Sequence, residues 1–160
     1  MIELQDKLDP HVVSATFNEQ LAVGAGMIAL CVVIHGVGLF TLGRVMRSEH
    51  TEERLERMEP LSLRGTLVTL AVVFALIIVH FVEIWLFALL YDFVGALRTF
   101  QDALYFSTVS YATLGSIEGI SHQWRLVGAI EGLVGFILLG WSTAFFVRVL
   151  NRLERDPPKR

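Results

Sequence analysis

Thr99-Phe-Gln-Asp-Ala-Leu-Tyr-Phe-Ser-Thr-Val-Ser-Tyr-Ala-Thr-Leu-Gly-Ser-Ile-Glu-Gly119 is the stretch whose reading decides the fold. Its first part is an amphipathic run, and Thr99 with Asp102 three residues on makes a capping-box-like start for a helix over 99–112. About 14 residues at 1.5 Å each give roughly 20 Å, too short to cross a bilayer but suited to entering one part-way. The helix is predicted to stop at Thr113-Leu-Gly-Ser-Ile-Glu-Gly119, with Thr113-Leu-Gly115 as extended, irregular backbone. Such backbone is tolerated at membrane depth only where protein or a water-filled path surrounds it, because lipid cannot satisfy its N–H and C=O groups. A re-entrant helix over a lined cavity is the expectation.

The flanking sequence places this stretch in a membrane protein. Leu21–Leu42, Leu67–Tyr91 and Leu126–Val147 are apolar runs interrupted only by His35, then His80 and Glu83, then Glu131. Each is long enough to cross a hydrocarbon core of about 30 Å as a helix. Over the 160 residues, 54% are hydrophobic and 18% charged, too apolar for a soluble domain of this size. The predicted order is an N-terminal tail over 1–20, a first span over 21–43, a charged connector helix over 44–65 and a pore-bearing module over 66–150. Within that module an outer helix covers 66–91, the short helix 99–112, a loop 113–118 and an inner helix 124–150. A tail over 151–160 follows.

Basic residues orient the chain. Arg44, Arg47, Arg54, Arg57 and Arg64 lie between spans one and two, and Arg148, Arg152, Arg155, Lys159 and Arg160 follow span three. Only Lys7, Arg98 and Arg125 are left for the other side. The positive-inside rule then puts the N-terminus outside and both the connector and the C-terminal tail in the cytoplasm. The alternating charges of the connector argue against a nucleic-acid surface. Cys31 is the single cysteine, so an intramolecular disulfide is excluded and a buried, inert thiol is expected.

At Ala103-Leu-Tyr-Phe-Ser-Thr-Val-Ser-Tyr-Ala-Thr-Leu-Gly115 the chain resembles the two-transmembrane pore module of potassium channels, especially small bacterial members. Trp124-Arg125 and a glycine-spaced last span continue the resemblance, which covers about residues 66 to 150. Tyr105 and Phe106 stand where many family members carry an aromatic pair on the pore helix. Thr113-x-Gly115 matches the first half of the family's Thr-x-Gly-Tyr-Gly-Asp filter. The resemblance implies a tetramer around one axis, with carbonyls of Thr113, Leu114 and Gly115 replacing the water shell of a monovalent cation, K+ or Na+. It also implies a bacterial inner-membrane location.

Ser116-Ile117-Glu118 replaces the family's Tyr-Gly-Asp. The family's second filter glycine is left-handed, and a β-branched residue there is a steric outlier. Ile117 is therefore not expected to copy that backbone, and Ser116 lacks the phenol that ties the family's filter to its pore helix. A widened or re-folded outer filter with weak selectivity is the expectation. Four copies of Glu118 would ring the outer mouth and concentrate cations; pairing with Arg125 or His122 is the plainer alternative.

Ionisable groups inside spans cost about 2.5 to 3.5 kcal/mol for Arg, Lys or Asp on insertion scales, so each needs a partner or a purpose. His80 and Glu83 share a helix face, and Glu83 and Glu131 lie at a common depth, roughly 10 to 12 Å from their outer ends. A buried polar network of His80, Glu83 and Glu131 supporting the pore helix is expected. Proton sensing through His80 and a metal site of His35, His80, Glu83 and Glu131 are alternatives, but no diagnostic spacing supports the metal and none is expected. Gly128 and Gly132 form a Gly-x-x-x-Gly pair suited to close helix contact. The resemblance makes Gly135 and Gly140 candidate gating hinges. Trp85, Tyr91, Trp124 and Trp141 read as interfacial anchors or subunit packing. Span one carries no regular arginines and is no voltage sensor of the usual kind.

No phosphate loop, metal-ligand motif or nucleophile elbow is present, so neither an enzyme nor a cofactor is expected. The expected protein is an all-α, three-span channel subunit that contacts membrane lipid and forms a homotetramer. A non-conducting, channel-derived scaffold or sensor is the alternative.

Overall fold

The computed structural model describes residues 16–47, 63–115 and 119–153. Most of the expected connector, the outermost tails, and Ser116, Ile117 and Glu118 lie outside the described residues. Among the described residues the regular elements are all helical: α1 (Phe17–Met46), α2 (Leu63–Phe93), α3 (Phe100–Tyr111), a 3-10 turn (His122–Trp124) and α4 (Arg125–Leu153).

Three of these helical stretches, Phe17–Met46, Gly65–Phe93 and His122–Asn151, are long and apolar enough to cross a membrane. Thirty residues rise about 45 Å, more than the roughly 30 Å hydrocarbon core, so their ends reach the headgroups. The protein is therefore a membrane protein, all-helical among the described residues. The first helix starts four residues before the predicted span because Thr16 and Glu19 form a capping box. The Glu19 carboxylate accepts from the Thr16 amide at 2.7 Å and its hydroxyl at 2.9 Å, while Thr16 Oγ1 accepts from the Glu19 amide at 3.4 Å.

The chain divides into two compact units. The first takes Met1–Val32 with Phe81–Leu138. Its core is built from Phe87 and Tyr91 of α2, Phe106 of α3, and Trp124, Val127 and Leu138, with Cys31 fully buried among them. The second takes Val33–His80 with Leu139–Arg160 and packs Leu39 and Met46 of α1 on Val72 and Leu76 of α2 and Val149 of α4.

Two aromatic expectations are corrected here. Tyr91 is 0% and Trp124 3% exposed, so neither is an interfacial anchor; each fills the core of the first unit. A position near a span end does not distinguish a ring facing headgroups from one facing the next helix. Trp85 and Trp141 remain partly exposed, with Trp85 edge-on to Phe100 at 5.6 Å.

Candidate functional site

The short helix α3 begins where its chemistry predicts. Thr99 is its N-cap in extended conformation, its hydroxyl accepting from the Asp102 amide at 3.1 Å and donating to the Asp102 carboxylate at 2.8 Å. Ala103, Phe106, Ser107 and Tyr111 recur at helical spacing and form its buried face, whereas Tyr105 is 71% exposed. Of the aromatic pair, then, only Phe106 packs within the chain, edge-on to Tyr91 at 5.3 Å.

Two fully buried acids hold that face. Glu83 of α2 accepts a hydrogen bond from the Tyr111 phenol. Glu131 of α4 accepts from the Tyr91 phenol through Oε2 at 2.7 Å and meets the Ser107 hydroxyl through Oε1. Ser107 Oγ also lies 2.8 Å from the Ile84 carbonyl, so its one proton faces two acceptors. Ser110 adds a third tie, donating to the Gly128 carbonyl at 2.7 Å. Buried polar groups are costly unless hydrogen-bonded, and here each acid is matched to a hydroxyl on the short helix.

Glycines on α4 let it close on α3. Gly128, Gly132 and Gly135 lie on one helix face, and each is in contact with α3. A Cβ at Gly128 would meet the Phe106 ring at 2.9 Å, and one at Gly132 the Ser110 carbonyl oxygen at 3.2 Å. At Gly135 it would collide with the Tyr111 carbonyl oxygen. The Gly128–Gly132 pair is thus a close-contact device whose partner is the short helix. Of the two candidate hinges, Gly135 sits in tight contact, while Gly140 has open space around it.

Thr113 is not extended. It adopts φ +59°, with its amide bonded to the Ser110 carbonyl at 2.9 Å and the Leu114 amide to the Val109 carbonyl at 3.1 Å. This is a Schellman end with threonine in the left-handed position that usually belongs to glycine. The same motif closes α2 with a glycine: Gly95 has φ +67°, and Ala96 and Gly95 bond back to Tyr91 and Asp92. Leu114 beyond it is 78% exposed, and Gly115 has φ +47°.

His80 meets side chains of the second unit. Its Nε2 lies 3.0 Å from Ser142 Oγ, which lies 3.2 Å from His35 Nε2, and His35 also stands 5.4 Å from the Trp141 ring. Glu83 and Glu131 bond to residues of or around α3, and His80 bonds to α4 through Ser142. Sequence reasoning missed Tyr91, Ser107, Ser110, Tyr111 and Ser142. Ser107 and Tyr111 carried a legible signal, as polar groups four apart on the apolar face of the amphipathic run.

The family model Ion_trans_2, described as "Ion channel", matches residues 66–152. The chain belongs to this ion-channel family, whose two-transmembrane, potassium-channel type of pore module agrees with the resemblance carried by Ala103–Gly115. No curated protein and no solved structure gives a significant match. Helix α1 lies outside the matched region.

Proposed function

We propose that the protein is a passive cation channel, a homotetramer in which α3 enters the bilayer as a pore helix and 113–117 form an atypical, weakly selective filter. The supporting observation is the seating of α3: Gly135 brings α4 directly against the Tyr111 carbonyl at its C-terminal end. Glu83 and Glu131 hold the preceding turns. A fixed helix C-terminus is the negative end of the helix dipole, equivalent to about half a negative charge, which favours a cation. Thr113, Leu114 and Gly115 follow it, Ser116 and Ile117 replace the family's rigid outer filter, and Glu118 supplies an acid at the mouth. The permeant ion is K+ or Na+, driven by its gradient across a bacterial inner membrane, with the N-terminus outside. No enzymatic step or cofactor enters this reading.

Reconstitution in planar bilayers, with potassium on one side and sodium on the other, tests it. A cation current with a reversal potential near zero is expected. In the double substitution Ser116→Tyr with Ile117→Gly, the reversal potential should move toward the potassium equilibrium value. An unmoved potential in a conducting double mutant contradicts the assignment of weak selectivity to these two positions.

The left-handed Thr113 favours a second reading, a channel-derived scaffold or sensor that does not conduct. A turn at that residue departs from the extended backbone of a carbonyl-lined filter. Silence across voltage and pH in the same bilayers would select it.

A further inference from the structure

Within the second unit, the C-terminal ends of α1 and α4 enclose a cleft of about 150 Å³. Leu39, Met46, Phe145 and Val149 wall it, Gly43 leaves it open, and Arg47 and Arg148 complete its lining. Both arginines are exposed, and no acidic side chain lines the cleft among the described residues. The spans end at Met46 and Asn151, so the two guanidinium groups lie at headgroup level.

Two like charges beside one cleft attract an anion, while the apolar walls suit hydrocarbon. An inorganic anion would answer only the first and an uncharged lipid tail only the second. We infer that this cleft binds one acidic phospholipid, its phosphate between Arg47 and Arg148 and its upper acyl chain against Leu39, Met46, Phe145 and Val149. Basic clefts between spans are suited to anionic headgroups, and each Lys or Arg near the surface adds about 1 kcal/mol, roughly a fivefold change in binding. The site depends on α1, which the family match does not include, and it stands whether or not the protein conducts.

Titration of the purified full chain with phosphatidylglycerol or phosphatidylcholine of the same acyl chains, read by native mass spectrometry, tests the inference. Phosphatidylglycerol should be retained at least tenfold more strongly. Arg47→Gln and Arg148→Gln should each weaken it about fivefold, while Arg98→Gln, outside the cleft, should leave it unchanged. Gly43→Leu keeps both charges and fills the cleft, since a Cβ at Gly43 already comes 3.7 Å from Phe145; it should remove the preference. Helix content of each variant by circular dichroism separates loss of binding from loss of fold. Equal retention of the two lipids by the unmodified chain overturns the inference. So does a preference that survives in well-folded Gly43→Leu, which would mean diffuse surface charge, or competition by millimolar inorganic phosphate, which would mean a simple anion site.

Discussion

Glu131 receives the Tyr91 phenol on one oxygen and meets the Ser107 hydroxyl on the other, with no exposure to solvent. An amide fits the same two positions, its oxygen accepting from Tyr91 and its NH2 donating to Ser107, which then serves the Ile84 carbonyl. Glu131→Gln should therefore stay within about 1 kcal/mol of the unmodified protein in denaturant unfolding from mixed micelles. Glu131→Ala leaves the buried Tyr91 phenol without its acceptor, at about 1–3 kcal/mol, while Ser107 keeps the Ile84 carbonyl, and it should be clearly less stable. Equal loss in both variants would mean that charge, not hydrogen bonding, holds the site. Glycines separate in the same way. Gly135→Ala forces α4 off the Tyr111 carbonyl, an overpacking cost of about 1–3 kcal/mol, whereas Gly140→Ala meets nothing and should match or exceed wild-type stability. A Gly135→Ala protein as stable as Gly140→Ala would contradict the tight contact. Both glutamates were visible in the sequence because an acid within an apolar run needs a reason. Which groups they pair with was not, since Tyr91 and Tyr111 are brought to them only by the packing of three helices.

Helix α3 was the most legible element, because both of its start signals are local: Thr99 and Asp102 cap each other without help from the rest of the fold. Thr99→Ala should cost about 1 kcal/mol, read as earlier thermal unfolding. The equivalent signal at Thr16 and Glu19 was also present, but acidic residues there read as part of a charged tail. The far end of α3 escaped prediction for a physical reason. A β-branched residue is unfavourable at positive φ, so nothing in the sequence pointed to a left-handed Thr113. Such conformations cost about 1–3 kcal/mol and persist where the surroundings impose them, often at functional sites. Thr113→Gly should therefore stabilise the protein by up to about 1 kcal/mol, while removing the threonine side chain from the proposed filter. Unchanged permeation together with raised stability would assign Thr113 a purely structural role.

For the whole molecule, hydropathy made three spans plain, and their placement needed only the length of each apolar run. The family match over 66–152 spans nearly the same residues as the motif-based resemblance, about 66 to 150. The proposed fourfold assembly would depend on surfaces that meet other copies, and many large apolar residues, among them Phe74, Ile78, Leu133 and Phe136, are exposed on the single chain. Their pattern is the same whether lipid or another subunit covers them, which is why the ring was inferred from resemblance and not from periodicity. The most direct test of conduction past α3 uses Leu114, whose side chain is 78% exposed in the chain. Leu114→Cys in planar bilayers, measured before and after an externally applied cationic methanethiosulfonate reagent, should carry a cation current that falls on modification. The unmodified protein, with Cys31 fully buried, should be unaffected. A Leu114→Cys current that continues undiminished after complete labelling would show that ions do not pass the end of α3.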